Sequence, residues 1–321
     1  MTLHTNETLF FELINATAKE MNMPFVYIEK DYWVTYILKK LSQSPYSEIA
    51  IFKGGTSLSK AYKIIERFSE DIDLAVISNG LGSNQIKKLI KQIETTIVDE
   101  NFVEIPHHIQ TSKGSSFRKS VHNYSKLQDN DFGHAQENII IELNSFAQPH
   151  PYEAKIISTY ISDFLYDKAP EIIEEYNLQS FRVNVLSYKR TFCEKISAIA
   201  RASFESDVQL TQLKEKIRHF YDIYFLMQEE EIQKFLHSSN FVDMMKKVRI
   251  DDSNQFSSNN WTTADLCSTL IFTDTAGVLN QLKHFYISNF KDLVYTAQLP
   301  EIDSIIKEIV TIAVILRNHH L

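Results

Sequence analysis

Two aspartates one residue apart, Asp71 and Asp73, sit in the stretch FSEDIDLAV. In a strand, residues i and i+2 share a face, so the two carboxylates point together while Ile72, Leu74 and Val76 turn toward a core. Adjacent like charges repel unless a cation lies between them, and a divalent metal pair meets that need. Mg²⁺ suits the position because it takes carboxylate and phosphate oxygens. Upstream, an apolar run ends at Phe52, and Gly54, Gly55, Thr56 and Ser57 follow Lys53. Glycine has no Cβ, so backbone N–H groups there can approach a ligand closely. A helix opening just after them presents free N–H groups and partial positive charge, which suit phosphate. Thr56 and Ser57 can cap that helix or bind a phosphate oxygen. A glycine turn, a helix and an Asp-x-Asp strand in succession fit a phosphorylated substrate held against metal ions.

These residues need a strand, a turn, a helix and a second strand to hold them. The pattern predicts a strand over 49–52, a helix over 57–66 and a strand over 71–76, with Leu58, Ala61, Tyr62 and Ile65 spaced as one helix face. Helices are expected at 6–21, 28–42 and 84–99, strands near 102–110, 116–124 and 138–146, and a helical stretch over 153–176 around Pro170. Further helices are expected near 188–204, 211–229, 231–247, 262–271, 275–292 and 301–318, with Asp251–Asn260 as an exposed loop. Six of the seven glycines lie between 54 and 133, and six of the seven prolines precede residue 171. Turns therefore concentrate in the first half. The expected organisation is an α/β (α+β) domain with a mixed sheet over 1–180, followed by an all-α helical bundle domain over 181–321.

Composition narrows the function classes. The chain has 321 residues and a net charge of 33 − 41 = −8, so it is no general nucleic-acid coat. One local exception is 111–126, where Lys113, Arg118, Lys119 and Lys126 meet no acid in sequence; they could line a basic groove or sit on solvated loops. The two cysteines, Cys193 and Cys267, form neither a disulfide framework nor a zinc motif. No apolar run approaches the ~18 residues of a membrane span, and no Lys or Arg precedes the first apolar residues as in a signal peptide. The expectation is a cytoplasmic protein without a membrane partner.

The segment FKGGTSLSKAYKIIERFSEDIDLAV resembles the nucleotidyltransferase fold of the DNA polymerase β superfamily. More narrowly it is similar to the AbiEii/AbiGii toxin family of abortive-infection and type IV toxin–antitoxin systems, through Gly54, Gly55, Thr56, Leu58, Arg67, Ser69, Asp71 and Asp73. IEKDYWVTYIL resembles the family's helix before the first strand, with Glu29, Lys30 and Asp31. RTFCEKISAI supplies Arg190, Glu194 and Lys195, and KIRHFYDIYFL supplies Arg218, His219, Tyr221 and Asp222. The resemblance spans about residues 28–226 and departs at Cys193 and Ala200, where relatives often carry Trp and His.

That resemblance implies an enzyme moving NMP from an NTP to an acceptor, with Mg²⁺ or Mn²⁺. It implies a third carboxylate, for which Glu142 in NIIIELNSF is the candidate, since its side of the strand is not that of Ile139, Ile141 and Leu143. Asp71, Asp73 and Glu142 would hold metal. Gly54, Gly55, Thr56, Ser57, Arg67, Ser69 and Lys195 would bind nucleotide, and Asp222 would orient Lys195. RNA, such as a tRNA 3′ end, is the implied acceptor, and a cognate antitoxin the implied partner. Transfer to a protein or small molecule, and a non-catalytic nucleotide- or partner-binding role, are the alternatives. By residue chemistry alone, Asp222 could instead be an i,i+4 ion-pair partner of Arg218.

Overall fold

A computed structural model describes residues 2–128, 136–204, 209–256, 260–295 and 299–321. The chain divides into two compact units: Met1–Lys63 with Phe68–Leu186, and Ile64–Arg67 with Ser187–Leu321. The short segment 64–67, just ahead of the acidic strand in sequence, therefore belongs to the second unit.

The first unit begins with α1 (Glu7–Met21), whose opening N–H at Leu9 donates to the Asn6 side chain, and α2 (Phe25–Ser42). Then come β1 (Ala50–Lys53), α3 (Gly54–Lys60), β2 (Ile72–Val76), α4 (Ser83–Ile97), β3 (Phe102–Glu104), β4 (Ser112–Lys113), β5 (Phe117–Tyr124) and β6 (Ile139–Asn144). β7 (Tyr152–Ile157), α5 (Tyr160–Leu165), α6 (Pro170–Glu175) and β8 (Phe181–Leu186) complete it. The strands form one mixed sheet in the order β3-β5-β6-β2-β1-β8-β7, with β4 on β5. β1 runs antiparallel to β2, and β2 parallel to β6. Ile72, Leu74 and Val76 of β2 and Ile139, Ile141 and Leu143 of β6 pack with Trp33 and Ile37 of α2 and Ile93 of α4 in one buried cluster. The opposite parity of both strands is left for Asp73 and Glu142.

Several expectations are corrected here. Residues 153–176 are not one helix: 152–157 is a strand, and two short helices follow. Tyr152–Ile157 carries Glu, Ala and Lys, good helix formers, but pairing with β8 along six positions overrides that preference. α3 covers 54–60 rather than 57–66, so the glycines open the helix instead of preceding it. β4 and β8 are additions.

The second unit contains α7 (Tyr188–Ala202), α8 (Gln209–Glu215), α9 (Ile217–Gln228), α10 (Glu230–Leu236), α11 (Ser239–Gln255), α12 (Leu270–Thr273), α13 (Thr275–Phe285) and α14 (Ile302–Asn318). Phe192, Ile196, Ile199, Phe220, Phe241, Trp261 and Ile309 are fully buried there, as are Cys193 and Ala200. Residues 251–255 are not a loop but the last turn of α11. Asp251 pairs with Arg190, and Asp252 accepts from Ser197 at 2.6 Å and Arg201 at 2.8 Å. Residues 257–259 lie outside the described residues.

Candidate active site

Gly54 adopts φ +80°, a conformation that disfavours any residue with a Cβ. A Cβ built there would overlap the Asp73 Oδ2 carboxylate oxygen. The glycine is required on both counts, since Asp73 packs against the backbone where β1 turns into α3. The neighbouring hydroxyls close the same turn. Thr56 Oγ1 donates to the Asp71 carbonyl at 2.7 Å and pairs with Ser69 Oγ at 2.9 Å, while Ser57 Oγ donates to the Gly54 carbonyl at 2.9 Å. Thr56, Ser57 and Ser69 thus tie the glycine turn to the acidic strand, and Gly55 lies in the first turn of α3.

Sheet register sets Lys53, Asp73, Glu142 and Lys119 in one row across β1, β2, β6 and β5. Burial, then Glu142 and Asp71, push the Asp73 carboxyl up to about 8, against the pull of Lys53 and Lys119. Protein crowds this carboxylate although some of its surface stays open to solvent. Asp71 Oδ1 is buried without a hydrogen-bond partner. Glu142 leans toward Lys119, whose Nζ lies 3.8 Å away. Among the described residues no three His, Cys, Asp or Glu side chains are gathered tightly enough to enclose a metal ion as they stand. Repulsion among the three acids and the attraction of Lys119 account for that spread. The donor set still suits a hard divalent cation: all-oxygen, negatively charged and in part lacking a donor.

A second set of residues in the same unit fixes these strands. Lys30, fully buried in α2, donates to Glu70 Oε2 at 2.9 Å, to the Asn138 carbonyl at 3.1 Å and to the Gln136 carbonyl. Glu70 immediately precedes Asp71, and Asn138 immediately precedes β6. One ammonium therefore clamps the entrances of the two parallel strands that carry Asp73 and Glu142. Its neighbours act likewise: Glu29 accepts from Leu127 N at 2.7 Å, and Asp31 accepts from Tyr160 N at 2.9 Å and pairs with Lys60.

In the second unit Asp222 on α9 receives both Nε and Nη2 of Arg67, at 2.6 and 2.7 Å, and Lys195 Nζ of α7 at 2.8 Å. Lys195 and Asp222 meet, and the partner that closes the carboxylate is Arg67. Burial alone would raise the Asp222 carboxyl, but the two cations outweigh it and hold it below the usual carboxylate range. His219 stands in the same field. Burial and then Lys195 and Lys216 drive its imidazole well below its ordinary value, so it is neutral. Its Nδ1 is buried without a hydrogen-bond partner.

The model of the AbiEii nucleotidyltransferase toxins of type IV toxin–antitoxin systems matches residues 36–303. The chain belongs to that family. No curated protein matches the sequence. Among solved structures, the fold is similar to MenT4, a nucleotidyltransferase toxin from Mycobacterium tuberculosis H37Rv, at 14% identity and a TM-score of 0.39, covering 84% of this chain and 98% of that one. So slight a structural likeness adds nothing to the assignment, which rests on the sequence match.

Membership in the AbiEii family makes the chain a nucleotidyltransferase. In this AbiEii-family chain the residues to which sequence reading gave no place beside the acidic strands are Lys53, Lys119, Lys30 and Glu70. Strand parity could have placed Lys53 with Ile51 on one face of β1, but only the register between strands brings Lys53 and Lys119 to Asp73 and Glu142. The basic stretch 111–126 also changes meaning. Lys113 pairs with Glu104, Arg118 with Glu94, Lys119 with Glu142 and Lys126 with Glu137. The acids come from elsewhere in the chain, so the local excess of positive charge is balanced in space. No helix among the described residues is long and apolar enough to cross a membrane.

Proposed function

We propose that this family member transfers NMP from an NTP to an acceptor hydroxyl, with Asp71, Asp73 and Glu142 as the metal-binding carboxylates. The observation that carries the reading is the row in which Asp73 stands opposite Glu142 on β6 and against Gly54 of the turn. Mg²⁺ or Mn²⁺ held there would neutralise phosphoryl oxygens and ease loss of the acceptor proton. The acceptor oxygen attacks the α-phosphorus, the α–β bridging P–O bond breaks, and pyrophosphate leaves. Gly54 and Gly55 let the backbone of the turn approach the phosphates, while Thr56, Ser57 and Ser69 hold the turn's shape. Lys195 carries the charge that meets the triphosphate, with Asp222 and Arg67 fixing its position. RNA, including tRNA 3′ ends, is the acceptor that the family reading favours, and a cognate antitoxin is the partner that type IV membership implies. Ion pairing of the 111–126 cations lends RNA no support from charge, so protein and small-molecule acceptors enter the same test.

Each of the four α-³²P-labelled NTPs is incubated with the chain, Mg²⁺ and total RNA or total protein. Label in an RNA band that EDTA abolishes is the expected result. Label only in protein or in a small product would move the acceptor. No label with any NTP would overturn the reading.

A further inference from the structure

One face of α2 forms a wall of a cavity. Tyr32, Thr35, Tyr36, Lys39, Lys40 and Gln43 recur at helical spacing along it, and all six line this cavity of about 160 Å³. The opposite wall is the stretch that follows α6 and runs into β8, with Tyr176, Leu178 and Phe181. Asn177 and Gln179 of the same wall are exposed, so the cavity lies at the surface of the first unit. None of its lining belongs to the glycine turn or to the strands bearing Asp73 and Glu142.

Four aromatic rings line a space of this size, and an apolar cavity of ~150 Å³ accommodates one benzene ring. The two lysines differ. Lys40 pairs with Asp99 at 2.5 Å, and Tyr36 donates to the same carboxylate at 2.7 Å. Lys39 instead donates to the Asn177 backbone carbonyl at 2.6 Å and to its Oδ1 at 3.0 Å. Among the described residues no carboxylate pairs with Lys39, and an ammonium has a third N–H to give. Asn177 takes the left-handed conformation, φ 55°, just beyond α6, and this turn aims both of its oxygens at Lys39. The ammonium is thereby held at the rim of an aromatic cavity with its charge unmatched by an acid.

We infer that this cavity is a binding site for a small monocyclic aromatic carboxylate, its ring among Tyr32, Tyr36, Tyr176 and Phe181 and its carboxylate on Lys39. Burial of the ring supplies the apolar part of the affinity and the charge-assisted hydrogen bond the selectivity. This site is separate from the nucleotidyl-transfer residues and does not depend on their assignment.

The test titrates sodium benzoate and benzyl alcohol into the full chain, followed by ligand-observed NMR, in the parent protein and in Lys39→Met and Lys39→Arg. Benzoate is expected to bind the parent at least ~10-fold more tightly than benzyl alcohol, since one charge-assisted hydrogen bond is worth about 1.5–3 kcal/mol. Lys39→Met should remove that preference and leave benzyl alcohol binding as it was, and Lys39→Arg should restore most of it. Lys39 is only half-buried, and thermal melting of each variant confirms that it is folded. No saturable benzoate binding, or benzoate binding unchanged by Lys39→Met, would overturn the inference.

Discussion

In the first unit, burial together with Glu142 and Asp71 pushes the Asp73 carboxyl up to about 8. In the second, Arg67 and Lys195 outweigh the same burial and hold the Asp222 carboxyl below its usual range. Both are aspartates packed among protein atoms, and their neighbours differ in sign. Asp222 sits in a closed arrangement, each oxygen on a guanidinium or ammonium. Asp73 stands beside two further acids, in an arrangement that favours binding a cation over folding stability. Strongly perturbed groups gather at functional sites for this reason. The contrast supports the proposal that the first set serves a metal and the second positions Lys195.

The largest effect should come from breaking the closed set. Asp222→Ala leaves Arg67 and Lys195 buried without their carboxylate, which costs about 3–5 kcal/mol for a pair of this kind. Denaturant unfolding should show a loss of that size. A loss below ~1 kcal/mol would mean that the three charges are not a structural unit.

Asp73→Asn should act in the opposite sense on stability and strongly on activity. Nucleotidyl transfer should fall by at least ~10², about 2.7 kcal/mol of transition-state stabilisation. A carboxyl raised in the folded state contributes stability that is present below its unfolded pKa of about 4 and is lost as pH rises toward about 8. At pH 8 the ionised carboxylate works against folding, so Asp73→Asn should stabilise the protein there by roughly 1–2 kcal/mol, a figure discounted for solvent access. Asp222, lowered in the folded state, contributes stability above pH ~4 that disappears on further acidification. Denaturant unfolding of parent and variants at pH 3, 5 and 8 reads both signs. Added Mg²⁺ should raise the melting temperature of the parent and not that of Asp73→Asn. Equal Mg²⁺ responses would remove Asp73 from the metal site.

Gly54→Ala tests how the turn serves the acidic strand. A left-handed backbone costs an alanine about 1–2 kcal/mol, and the new methyl displaces the Asp73 carboxylate. Activity should fall ~10-fold or more, with a destabilisation near that figure. Gly55→Ala, inside the first helical turn, should fold as well as the parent. If both alanine variants retain full activity, the contact between Gly54 and Asp73 has no catalytic consequence.

Much of this was legible in the sequence because it is local. Helices α1, α2 and α4 follow from apolar spacing, and the facing of Asp73 and Glu142 follows from strand parity. The glycine turn and Asp-x-Asp strand also carried the family resemblance. What escaped depends on contacts distant in the chain. β7 reads as helical because its residues favour helix, and only its partner β8 makes it a strand. Arg67 reads as a nucleotide contact within the acidic motif, yet its guanidinium reaches Asp222, 155 positions away. Lys30 lies 106 and 108 positions from the carbonyls it holds, and no periodicity records such pairings.

The smallest predicted effect concerns the cations of 111–126, which look like a nucleic-acid groove in sequence and like ion-pair partners in space. Lys113 and Glu104 are both about one-third exposed, at 36% and 31%, so water already screens them. Pairs of that kind contribute about 0–1 kcal/mol. Lys113→Ala should therefore shift unfolding by no more than ~0.5 kcal/mol. Arg118 makes the contrast within the same segment. Its partner Glu94 is 4% exposed, and Glu94 Oε1 is already without a hydrogen-bond partner. Removing Arg118 leaves that carboxylate buried with His122, 4.0 Å away, as its neighbour, at a cost of about 1–3 kcal/mol. Were the segment a solvated RNA groove, both substitutions would be nearly neutral for stability, and each would lower the salt dependence of RNA binding by a similar step. A large difference between the two in unfolding, with no change in the salt slope, identifies the segment as part of the scaffold that holds Glu142 beside Asp73.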